Sequence, residues 1–126
     1  MSFIRDITQT QMEQLNRIEI RGHVGSVNIA KVGEGKVAHF SVVTNYVYKG
    51  RNGEPVIETT WHSVTAWEGR KIPDLDIVKK GAPMYVRGRM RQDKFTGSDG
   101  TEKTKTEIFA DVVETVDESP GPAYGK

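Results

Sequence analysis

Five runs of β-forming residues, punctuated by glycine and proline, restrict this chain more than any other feature. Arg17 to Val24 alternates strictly: Ile18, Ile20, Gly22 and Val24 fall on one face, Arg17, Glu19, Arg21 and His23 on the other. Val37 to Tyr48 and Val56 to Trp67 are rich in Val, Thr and aromatic residues. Met84 to Phe95 sets Met84, Val86, Gly88 and Met90 against Tyr85, Arg87, Arg89 and Arg91, and Lys105 to Val116 completes the series. Side chains on a strand alternate between faces, so such runs read as strands with one face in a core. Gly33-Glu34-Gly35, Lys49-Gly50-Arg51-Asn52-Gly53 and Thr96-Gly97-Ser98-Asp99-Gly100 lie between the first and second, the second and third, and the fourth and fifth. Asn-Gly in particular favours a hairpin turn.

The third and fourth runs are joined differently. Arg70 to Lys80 carries Pro73, then apolar Leu75, Ile77 and Val78, with Gly81 as a stop. This pattern predicts a short helix. Five strands with one short helix between strands 3 and 4 is the order of an all-β, five-stranded OB-fold Greek-key barrel. The 126 residues suffice for one such domain. We place the barrel at 16–117, with an N-terminal extension at 1–15 and a short flexible C-terminal tail at 118–126.

The composition excludes several kinds of chemistry. There is no cysteine, hence no disulfide, thiolate metal site or cysteine nucleophile. No apolar stretch approaches the ~20 residues of a membrane span, and the first residues lack a signal core. A cytoplasmic protein with no membrane association is expected. His23, His39 and His62 are too scattered to suggest a metal site. Gly33-Glu34-Gly35-Lys36 lacks the spacing of a phosphate-binding loop. No catalytic residue, metal or cofactor is expected, and the chain reads as a binding protein, not an enzyme.

Charge and aromatic placement point to the ligand. Net charge is only +1, but eight Lys and Arg lie between Arg70 and Lys94 against three acids, and four acids lie between Asp111 and Glu118. A basic stretch of this kind suits a polyanion, although solvated strand faces produce the same pattern. Trp61 and Trp67 share a parity, with Ser63 and Thr65 between them; Tyr48 ends the second run beside Lys49 and Arg51, and Phe95 ends the fourth beside Lys94. Any one large aromatic could equally serve a core. Together, among cations, they form platforms on which bases of any sequence stack. A dimeric or RNA-binding barrel, a nucleic-acid-modifying enzyme and a protein-interaction barrel are the competing readings.

Asn16-Arg17-Ile18-Glu19-Ile20-Arg21-Gly22-His23-Val24-Gly25, Ala38-His39-Phe40-Ser41-Val42, Thr60-Trp61-His62-Ser63-Val64 and Lys80-Gly81-Ala82-Pro83-Met84-Tyr85-Val86-Arg87-Gly88 carry a family resemblance. From Asn16 to Val116 the chain is similar to the bacterial single-stranded DNA-binding protein family, homotetrameric OB-fold proteins of DNA replication, recombination and repair. The resemblance implies base stacking on Tyr48, Trp61, Trp67 and Phe95. It implies phosphate contacts from Arg51, Lys80, Arg91 and Lys94, and subunit-interface positions at His62 and Tyr85. Two of the four stacking positions hold Tyr and Phe where Trp is common, which weakens each contact. Ser63 stands where the family often has Arg. The family typically ends in an acidic tip that recruits replication and repair enzymes. This chain ends in Pro122-Ala123-Tyr124-Gly125-Lys126, so such recruitment is not expected.

Overall fold

The computed structural model describes residues 12–117. The expected tail at 118–126, and residues 1–11 of the expected extension, lie outside them.

Five strands follow one another: β1 (Ile18–Val32), β2 (Gly35–Lys49), β3 (Pro55–Trp67), β4 (Pro83–Thr96) and β5 (Glu102–Thr115). They close into a barrel in the order β1-β2-β3-β5-β4, with β4 returning to β1. All neighbours are antiparallel except β3 and β5, which run parallel where Val64 and Thr65 meet Ile108 and Phe109. This is the five-stranded OB-fold topology.

The alternation seen in the sequence is what fills the barrel. Val24, Phe40, Val42, Val64, Met84 and Val86 point inward and are buried. β1 continues well past Val24 because a bulge between Val24 and Val27 shifts its register against β2. A second irregularity falls at Arg87/Gly88, opposite Val112 and Ala110 of β5. A Cβ on Gly88 would collide with the Phe109 carbonyl oxygen, so only glycine allows β4 and β5 to approach there.

The expected short helix over Arg70 to Lys80 is reduced to one 3-10 turn, Leu75–Ile77. Two local effects explain this. The turn is bounded by extended residues on both sides, Asp74 capping its start by accepting the Asp76 N–H at 2.9 Å and Val78 ending it. The buried residues recur at Ile72, Leu75 and Val78, a spacing of three that matches the 3-10 repeat. These three side chains plug the barrel's end. At the opposite end, β2–β3 and β4–β5 extend beyond the barrel as two hairpin fingers that expose Tyr46, Val47, Ile57 and Phe95.

Candidate nucleic-acid interface

Trp61 stands opposite Val43 in the β2–β3 ladder, so the two share a face, while Phe40, Val42, Val64 and Ala66 fill the other. Trp67 has the parity of Trp61 and projects on the same side. On the far side of β3, Thr65 lies beside Phe109 of β5. Phe109 in turn faces Arg89 of β4, Glu107 faces Arg91, and Lys103 faces Phe95. The odd-numbered residues of β3, of β5 as far as Phe109 and of β4 from Arg89 onward therefore form one continuous outer surface. On it Trp61 is 63% exposed, Trp67 46% and Phe95 47%, far more than core aromatics tolerate.

Trp61 has a prepared seat. A Cβ on Gly25 would overlap the six-membered ring of Trp61 and the Ser41 hydroxyl. The ring thus lies across β2 against the β1 backbone, at the bulge. Between the two tryptophans the surface is polar. Thr65 Oγ1 donates to Glu107 Oε2 at 2.7 Å. With its one proton so used, it accepts from His39 Nδ1 at 3.1 Å, which sets the His39 tautomer. Ser26 N–H donates to Ser41 Oγ at 2.9 Å. A small cavity of about 180 Å³ lies over these groups.

Tyr48 is placed elsewhere. Opposite Val56, it has the parity of Thr44 and His62, on the reverse side of the β2–β3 finger from Trp61. It is 43% exposed and pairs with Tyr46, the ring centroids 6.0 Å apart. Of the four expected phosphate contacts, Arg91 stands on the surface of Trp61 and Phe95. Its guanidinium lies 3.2 Å from Asp93 Oδ1 and 5.4 Å from the Phe109 ring centre. Lys94, opposite Thr104, projects from the other face of that finger. Arg51 is exposed at the tip of the β2–β3 turn, and Lys80 is exposed in the turn before β4.

His62 and Tyr85 stand on different faces. His62 Nε2 and Thr44 Oγ1 are 2.9 Å apart on the inward parity. Tyr85, on the outer side of β4, donates to Glu19 Oε1 at 2.9 Å and lies under Arg21, 5.9 Å from its ring centre. The hydrogen bond to Glu19 raises the phenol pKa, because ionisation would lose it. Partial burial lowers the His62 pKa below 6.5. The unfolded chain then binds the proton more readily than the fold. The His62 contribution is complete above pH 6.5 and declines as pH falls through the lowered value. Thermal melts between pH 7.5 and 5 should show a drop that His62→Gln reduces.

Phe109 and Arg89 carried no assignment from the sequence. The alternation of β5 around Ile108 and Ala110 could have marked Phe109 as outward-facing. Its neighbours on β3 and β4 could not be read that way. Among the described residues no cluster of His, Asp or Glu could hold a metal, and no helix is long and apolar enough to cross a membrane.

The molecule is thus an OB-fold barrel whose outer surface presents flat, solvent-accessible aromatics among cations. The chain belongs to the single-strand binding protein family, whose model matches residues 15–116. It is 36% identical over 101 residues to the single-stranded DNA-binding protein of Neisseria meningitidis serogroup A, covering 76% of this chain and 56% of that protein. The mitochondrial single-stranded DNA-binding protein of Danio rerio is 29% identical over 115 residues, 84% of this chain and 79% of that one. The chain spans little more than half the length of the Neisseria relatives it matches. Among solved structures, Plasmodium falciparum SSB in complex with ssDNA superposes with a TM-score of 0.69 at 29% identity, covering 86% of this chain and all of that one.

Proposed function

We propose that this chain binds single-stranded DNA without sequence preference, coating and protecting it during replication, recombination and repair. The observation that carries the reading is the surface holding Trp61, Trp67 and Phe95, each about half exposed, with Lys103 opposite Phe95 and Arg70, Lys71 and Arg89 in the groove lined by Trp67. Every base has a π-face, so such platforms hold a strand without reading it, each stack contributing about 1–3 kcal/mol. That range comes from single-stranded DNA-binding OB proteins themselves. Arg51, Lys80, Arg91 and Lys94 guide phosphates toward the platforms. Tyr48, on the reverse of the β2–β3 finger, engages a strand that passes around the finger's edge. The Plasmodium relative bound to ssDNA supports this reading.

Residues 16–117 are the binding domain in this proposal. Four copies assemble, with His62 and Tyr85 at subunit contacts. The role is non-catalytic, needs no cofactor, and belongs in the cytoplasm.

Titration with oligo-dT at two salt concentrations tests the reading through tryptophan emission. Quenching at low salt is expected. Affinity should fall by about 0.7 log units per log unit of salt for each phosphate neutralised on a single strand. Unchanged emission at low salt would sink the proposal, and sedimentation of the free protein reads the number of copies.

A further inference from the structure

Phe109 lies on the outer surface of β5 under two guanidinium groups from β4. Arg89 Cζ is 4.8 Å from the ring centre and Arg91 Cζ is 5.4 Å. The two arginines differ in their remaining contacts. Arg91 is ion-paired with Asp93, whereas Arg89 forms no ion pair among the described residues. Beside Arg89 opens a groove of about 700 Å³, with Trp67 in its lining and Arg70 and Lys71 at its loop side. Asn16 closes another side. Its amide donates to the Met90 carbonyl at 2.8 Å and its Oδ1 accepts the Met90 N–H at 2.9 Å. This clamp holds the β4 backbone next to Arg89.

We propose that Arg89, backed by Phe109, is a base-stacking platform in its own right and that this groove binds one nucleotide of the strand. The inference rests on the single-stranded DNA reading. A guanidinium is planar and weakly hydrated, so it stacks on an aromatic ring with one face and on a nucleobase with the other. An exposed arginine ordinarily gives up rotamer freedom when it binds. Here the Phe109 ring has already ordered it. The outcome is a three-layer stack of Phe109, Arg89 and base, with Trp67 in the same groove. Arg70 and Lys71 form no ion pair among the described residues and take the attached phosphate. Two acids also line the groove: Asp111, engaged by Arg87 at 3.3 Å, and Glu68, which forms no ion pair among the described residues.

The test uses fluorescence anisotropy of labelled oligo-dT with the full chain, across a salt series. Arg89→Lys keeps the charge and loses the plane. It is expected to weaken binding about 5- to 150-fold, the fold-change of one lost stack, with the salt slope unchanged. Arg89→Ala should weaken binding and also flatten the slope. Phe109→Tyr keeps a ring and should bind like the unaltered chain, whereas Phe109→Leu, similar in bulk, should weaken like Arg89→Lys. Binding by Arg89→Lys within twofold of the unaltered chain overturns the inference. Equal losses for Phe109→Tyr and Phe109→Leu overturn it as well. If Phe109→Leu unfolds, Arg89→Lys decides alone. Failure of the unaltered chain to bind at low salt removes the DNA reading itself, and this inference with it.

Discussion

Trp61→Ala is expected to lower affinity for oligo-dT by about 1–3 kcal/mol, some 5- to 150-fold, while the domain stays folded. Trp61 projects away from the barrel core, with 63% of its surface open to solvent. It rests on the bare backbone of Gly25, not among core side chains. Removing the ring therefore leaves no internal cavity, and the cavity cost that makes core truncations severe does not arise. What is lost is one face for a base. Anisotropy titration and a thermal melt of the same sample separate the two effects. A melting point lowered together with an unaltered affinity would place Trp61 in the core and end its role as a platform.

Leu75→Ala is expected to do the reverse, destabilising the fold by about 2–5 kcal/mol. Leu75 is fully buried at the end of the barrel, with Ile72 and Val78 packed in the same core. The 3-10 turn that carries it is held by Asp74 at one end and by the Val78 N–H to the Leu75 carbonyl at the other. Nothing in so short a turn can shift to fill the space left by three missing carbons. The urea midpoint should fall in proportion, while DNA affinity measured well below that midpoint stays close to normal. A loss under about 1 kcal/mol would mean the end of the barrel collapses freely around the gap.

These two side chains illustrate how much could be read before the fold was known. Alternation is a local property of a strand. The shared face of Trp61 and Trp67, and the inward face of Ile18, Ile20, Gly22 and Val24, both follow from it without any partner strand. The glycine-rich turns were equally legible, since turn geometry is decided within a few residues. The segment from Arg70 to Lys80 was legible only in part. Its apolar residues and stop signal were visible, but the three-residue spacing of the buried side chains, between the Asp74 cap and extended Val78, produced one 3-10 turn in place of a helix.

The sequence by itself determined five strands, their turns, which side chains of each strand share a face, and the chemical kind of surface they make. Only the tertiary structure decided which faces of different strands meet. Parity on one strand has no relation to parity on another until a register is set, and a slip of one residue would reverse it. The β2–β3 register puts Tyr48 behind the finger whose front carries Trp61. The short parallel contact of β3 with β5 brings Thr65 beside Phe109, 44 positions away, and β4 then lays Arg89 over that ring. Barrel closure is a long-range event, and so is the surface it assembles.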